Sequence, residues 1–154
     1  MSKISQYKSW GNPTWVFLHT MVSKINHQSF HKHKDEIINY IFKICSNLPC
    51  PECSTHAVDF LKTVRFNNVS KKEDLIEIMY VFHNQVNKNI NKKEFPIESL
   101  SIYTETDGIQ NALLKFIPAY TKGVSPLLMA QTHARKMIAT ELKKYVYNNI
   151  ENYS

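Results

Sequence analysis

Trp15, Leu18, Val22 and Ile25 recur at three- and four-residue intervals, the spacing that lines one face of a helix. Asn12 followed by Pro13 predicts the start of that helix, a capping side chain followed by proline at the first helical position. Asn26 to His33 is largely polar and reads as a loop. Ile37, Ile38, Ile41, Ile44, Cys45 and Leu48 predict a second helix over about Lys34 to Asn47. Pro49 and Pro51 break it and restart the chain as a third helix, roughly Pro51 to Lys62. On this helix Cys53, His56, Ala57, Phe60 and Leu61 share a face, so Cys53 and His56 are both expected to look inward. Ser70-Lys71-Lys72-Glu73 has the form of a capping box. It opens a long fourth helix with Leu75, Ile78, Met79, Phe82, Val86 and Ile90 along one side. His83 and Asn87 lie at the edge of that stripe, one turn apart and therefore neighbours.

Beyond Lys93 the pattern weakens. Phe95 to Tyr103 has room for a short helix, and Thr104 to Gly108 reads as a turn. Ile109 to Ile117 is helical in pattern up to Pro118. Ser125-Pro126 opens a last helix carrying Leu128, Met137, Leu142, Tyr145 and Ile150. No strand alternation, internal repeat or Gly-rich linker interrupts this series, and three glycines in 154 residues argue against a turn-dense β-fold. The expectation is an all-α chain, one helical core followed by a C-terminal helical extension.

Composition narrows the classes. A chain with 43% hydrophobic and 12% aromatic residues is globular. No apolar run approaches the roughly 20 residues that span a bilayer. The first residues, MSKISQYKSWGN, have no apolar segment of a signal peptide, so a soluble, cytoplasmic protein is expected. The net charge of +6 raises nucleic-acid binding, yet the lysines are scattered and form no stripe with interleaved aromatics.

The three cysteines are Cys45, Cys50 and Cys53, too few for a secreted disulfide scaffold. Cys45 falls on the apolar side of its helix and reads as a small core residue. Cys50-Pro51-Glu52-Cys53 places a CxxC at a helix start, where unpaired N–H groups and the positive dipole end favour a thiolate. The same spacing serves thiol–disulfide exchange or zinc. A zinc-stabilised binding module using Cys50, Cys53 and His56, with His83 as a fourth ligand, is the alternative, although no second CxxC or HxxxH completes a zinc motif.

Three segments together resemble the Erv/ALR family of FAD-dependent sulfhydryl oxidases. Trp10-Gly11-Asn12-Pro13-Thr14-Trp15-Val16-Phe17-Leu18-His19 is similar to the family's G-x-x-x-W-x-x-L-H helix. Leu48-Pro49-Cys50-Pro51-Glu52-Cys53-Ser54-Thr55-His56 is similar to its P-C-x-x-C-x-x-H redox helix. His83-Asn84-Gln85-Val86-Asn87, with Lys92 further on, is similar to its H-N-x-V-N-x-x-x-x-K flavin helix. The resemblance covers about residues 9 to 103 and leaves 104 to 154 as the extension.

What the resemblance implies is a four-helix bundle holding FAD, in a homodimer. Cys50 would face the substrate and Cys53 the flavin. Gly11, Trp15, His19, Cys53, His56, His83, Asn84, Asn87 and Lys92 would line the cofactor, with no resident metal. Taken singly, Trp15 reads as core packing, His19 and His56 as interior histidines, and Lys93 could replace Lys92. Four asparagines in one helix, at 84, 87, 89 and 91, are easier to understand if some meet a ligand. The shuttle cysteine pair of many family members has no counterpart among these residues. Cys50 is therefore expected to meet a small CxxC-containing thiol protein directly, with dioxygen as final acceptor and hydrogen peroxide as product. In this the chain resembles the compact members of large cytoplasmic DNA viruses, which act in the host cytoplasm or virion.

Overall fold

The computed structural model describes residues 3–105, 108–123 and 129–153, with side chains from Ser9 onward. Among these residues the regular structure is helical: α1 (Lys3–Lys24), α2 (His27–Ser46), α3 (Pro51–Thr63), α4 (Lys72–Asn89), α5 (Leu100–Thr104), α6 (Ile109–Thr121) and α7 (Met129–Asn148). One isolated bridge joins Ile25 to Tyr153.

Helix α1 is the axis of the molecule and packs against α2, α4, α5 and α6. Its apolar residues therefore do not stop at one stripe. Phe17, Leu18, Met21 and Val22, with Ile25 just beyond the helix, are all buried, each worth about 1.5–3 kcal/mol relative to exposure. Phe17 stacks on Phe116 of α6 with centroids 5.0 Å apart. The expected start at Asn12 is corrected: the helix begins at Lys3 and Pro13 lies inside it. Proline has no N–H for the preceding turn. The neighbouring Thr14 hydroxyl donates to the Trp10 carbonyl at 2.6 Å, and Trp10 and Trp15 anchor the two sides of this turn in the core.

Helix α2 also starts earlier than its sequence suggests, at His27 rather than Lys34. Phe30 is the one large apolar residue in that first stretch. The decisive contact is polar: His33 is buried with its ring nitrogens bonded to Tyr145 and Asn152, 112 and 119 residues away. At α4 the capping box differs by one residue. Asp74, not Glu73, accepts from the backbone N–H groups of Ser70 and Lys71. The Lys72 ammonium donates to the Ser23 and Ile25 carbonyls, each at 2.9 Å, and closes the C-terminal end of α1.

Helix α6 runs through Pro118 to Thr121 instead of ending there. Its last turn is held from outside, by the Tyr120 hydroxyl donating to the Ile44 carbonyl at 3.1 Å and Arg135 donating to the Tyr120 carbonyl at 2.8 Å. On α7, Met137 is 54% exposed and Ile138 takes the inward place. Leu142 and Tyr145 are buried as expected, while Ile150 lies beyond the helix and is 36% exposed. The expected Ser125-Pro126 start, Leu128 and part of the Thr104–Gly108 turn lie outside the described residues. No helix among the described residues is long and apolar enough to cross a membrane.

Candidate active site

Cys50 and Cys53 are joined as a disulfide, with Cα atoms 5.2 Å apart. Pro51 opens α3, which makes Cys50 the cap residue, and its sulfur accepts from the Cys53 backbone N–H at 3.2 Å. Both cysteines are half-buried and pack against the apolar interior. The Ser54 side chain is buried and accepts from the Leu48 N–H at 2.7 Å, fixing the turn that presents the pair.

His56 does not look inward. Its side chain is 56% exposed and faces Glu52 at 3.8 Å. The buried face of α3 is centred on Ser54, Ala57 and Leu61, which places position 56 on the helix flank and Cys53 at the edge of the face.

From α3 a chain of rings leads inward. Phe60 stacks on Phe82 of α4 at 5.0 Å, and Phe82 meets the edge of Trp15 at 5.1 Å. Trp15 in turn stacks on His83, with centroids 4.0 Å apart and planes 10° from parallel. His83 Nδ1 is 2.9 Å from Nε2 of His19, so helix α1 and helix α4 are joined by an imidazole–imidazole hydrogen bond. Both histidines are buried. Burial holds His19 down at about 4, and burial together with His19 and Lys92 pushes His83 lower still. Both rings are neutral at physiological pH, and one N–H lies between them.

Asn84 directs its amide at the Phe95 backbone, donating to its carbonyl at 3.2 Å and accepting from its N–H at 3.1 Å. Asn87 is buried on the same helix, and its side-chain oxygen has no hydrogen-bond partner among the described residues. A buried carbonyl left so costs about 1–3 kcal/mol. The position has room in its bonding for one further donor. The backbone of Lys92 bonds to the Asn87 carbonyl at 2.7 Å, and its side chain is exposed. Gly11 is buried on α1, one turn before Trp15. An open groove of about 380 Å³ runs along α4, lined by Tyr80, Val81, Asn84, Gln85, Lys88, Lys92 and Glu94.

Sequence reasoning missed Phe95 and Tyr103. The Phe95 ring lies 4.5 Å from His83, and Tyr103 lies 4.9 Å from His19. Their one signal was a pair of aromatics in an otherwise weakly patterned segment. The zinc donors are not brought together: the two sulfurs are bonded to each other, His56 faces Glu52 and His83 is engaged by His19. Among the described residues no three His, Cys, Asp or Glu side chains form a metal-holding group.

Fold and site thus define an all-helical protein with a helix-start disulfide on α3 and a buried ring cluster between α1 and α4 that holds a neutral histidine pair. The chain belongs to the Erv1/Alr family, whose profile matches residues 12–107, more than half its length. It is 31% identical over 94 residues to the 096R protein of Invertebrate iridescent virus 3, named a candidate FAD-linked sulfhydryl oxidase. It is 34% identical over 84 residues to a FAD-linked sulfhydryl oxidase of African swine fever virus. The similarity to the FAD-linked sulfhydryl oxidase ERV1 of Arabidopsis thaliana is 28% over 88 residues. These segments cover 60%, 54% and 57% of this chain and 64%, 70% and 46% of the respective relatives. For the iridescent-virus protein that is just under two thirds of its length. No solved structure matches the chain significantly.

Proposed function

We propose that this chain is a FAD-dependent sulfhydryl oxidase that introduces disulfides into a small CxxC-containing partner protein. The observation that carries the reading is the Cys50–Cys53 disulfide at the start of α3 in a chain of the Erv1/Alr family.

In the forward reaction a partner thiolate attacks the Cys50 sulfur, the Cys50–Cys53 bond breaks and Cys53 departs as a thiolate. The partner's second thiol then attacks its own sulfur in the mixed disulfide. Cys50 leaves, the oxidised partner is released, and the two electrons rest on the reduced pair. The N–H groups at the start of α3 favour negative charge on Cys50 and so make it the better leaving group in this second step. FAD, when bound, supplies the two-electron acceptor that reoxidises the pair and passes the electrons to dioxygen, giving hydrogen peroxide.

The residues present suit that cofactor. Trp15, His19 and His83 form a buried cluster of neutral rings, and Asn87 offers an unsatisfied acceptor to a ring N–H or a sugar hydroxyl. Lys92, which lines the groove, would meet the pyrophosphate, and Gly11 would allow close approach on α1. Cys53 is the cysteine assigned to the flavin side. His56 is carried as a cofactor contact from the family motif alone.

The proposal takes residues 9–103 as the oxidase domain and 104–154 as its extension. Its support is the packing of α6 along α1 and of α7 against α2 and α6. The homodimer belongs to the same reading, and light scattering of the purified chain tests it. The host cytoplasm or virion is the compartment proposed, on the strength of the viral relatives.

The test is direct. Purified protein should be yellow, carry about one FAD per chain and consume oxygen with dithiothreitol. Cys53→Ser should abolish that uptake. A folded, colourless protein that takes up no FAD would overturn the assignment.

A further inference from the structure

Asn84 stands in the motif assigned to flavin binding, yet both ends of its amide are engaged within the chain. The two bonds to the Phe95 backbone are joined by a third, from the Tyr80 hydroxyl to the Phe95 carbonyl at 3.3 Å. Together they pin the short segment Lys92–Phe95 against α4. That segment has one face toward the open groove, through Lys92 and Glu94, and the other toward the ring cluster. Phe95 is the part that reaches inward, with its ring 4.5 Å from His83, 5.8 Å from Tyr103 and 6.2 Å from His19.

Both ends of the segment are conformationally distinct. Asn91 has φ 58°, the left-handed region that asparagine tolerates better than other side chains. Pro96 fixes the other end at φ −74°. Four residues between a left-handed turn and a proline, held by three side-chain hydrogen bonds, make a strap with defined hinges and a defined catch.

We propose that Lys92–Phe95 is a gate between the groove and the Trp15–His83–His19 cluster, and that Asn84 is its latch, a positioning residue that governs how fast FAD enters and leaves. The inference rests on the flavin reading and deepens it. The latch bonds hold the strap shut, so they oppose opening before FAD enters and, where the strap closes over the cofactor, again before release. Weakening them accelerates both steps and leaves the equilibrium nearly unchanged. A residue that bonds to the cofactor behaves differently, because its loss raises the dissociation rate and the Kd together.

The experiment uses apoprotein reconstituted with FAD, following flavin fluorescence in stopped flow for association and after dilution for release. Asn84→Ala keeps a good helix former and should raise both rates roughly tenfold, the scale of losing two neutral hydrogen bonds, with Kd within about twofold. Tyr80→Phe should shift both rates the same way by a smaller factor. Amide exchange in the apoprotein should rise selectively at Phe95 in Asn84→Ala, a readout that needs no flavin. A raised Kd with an unchanged association rate would make Asn84 a cofactor ligand and overturn the gate, as would FAD binding with neither rate moved. Wild-type protein that takes up no FAD would sink the flavin reading and the gate with it, an outcome distinct from either.

Discussion

Trp15 of α1 and His83 of α4 lie face to face, 4.0 Å between centroids and 10° between planes, and this stack joins the two helices at the centre of the site. The imidazole is neutral, so the contact is ring on ring and not a cation on a π face. Its strength depends on shape and burial, and Trp15 is only 6% exposed.

Trp15→Ala should therefore destabilise the flavin-free chain by about 3–5 kcal/mol, the range for removing a buried large aromatic. Trp15→Phe should cost distinctly less because a ring still meets His83. Urea midpoints at constant m-value measure both. A cost below about 1 kcal/mol for the alanine variant would show that α1 and α4 are held by something other than this stack.

Acid should weaken the fold before the carboxylates titrate. His19 has its ordinary value of 6.5 when unfolded and about 4 when folded. Between those limits the unfolded chain binds a proton that the folded chain refuses, so stability falls as pH drops through that window. His83 is shifted the same way and extends the loss to lower pH. Urea unfolding of the apoprotein at pH 7, 5.5 and 4.5 should show a progressive decline, and His19→Gln should make it shallower, with the His83 share remaining. A stability constant across that range would mean that the buried pair is not neutral.

The two cysteines should separate chemically once each is left alone. In Cys53→Ser the remaining Cys50 thiol sits at the start of α3, whereas in Cys50→Ser the remaining thiol lies inside the first turn. At neutral pH the Cys50 thiol should form a mixed disulfide with oxidised glutathione faster, as mass spectrometry of quenched samples would record. A faster Cys53 would reverse the order of attack assigned here.

Cys45 should be silent. It is 1% exposed, and burial pushes its thiol up to about 12. In the native chain it should resist Ellman's reagent for hours and react at once in urea. Cys45→Ala should leave oxygen uptake unchanged. Rapid native labelling would place the thiol at the surface.

The parts of this molecule readable in its sequence are those in which chemistry and local pattern coincide. Cys50, Pro51 and Cys53 announce a helix-start disulfide because cap, proline and sulfur are neighbours in the chain. The isoleucines of α2 show its buried face for the same reason. His27–His33 was hidden, since Phe30 alone marks it as helix and His33 becomes a core residue only by meeting Tyr145 and Asn152. Phe95 was hidden too, because its importance arises from Asn84 holding its backbone across eleven positions. Pro13 and Pro118 misled in a third way. Local geometry says break, and tertiary packing around Trp10 and Tyr120 carries the helix through.

The closing turn of the chain depends on a single directed line of hydrogen bonds. The Ser29 hydroxyl donates to the Asn152 side-chain oxygen at 2.9 Å, which leaves the Asn152 amide to donate to Nε2 of His33 at 3.2 Å. With Nε2 accepting, the His33 ring carries its proton on Nδ1 and donates it to the Tyr145 oxygen, 3.2 Å away. Tyr145 then donates to Tyr153 across 2.6 Å. Nitrogen chemical shifts of His33 should accordingly report the Nδ1–H tautomer, less common in water. Tyr153→Phe removes the acceptor of the last bond and should cost about 1–2 kcal/mol, with the Asn26–Asn152 backbone amide exchanging faster. An Nε2–H tautomer in the wild-type chain would break the line at its second link and reverse its direction.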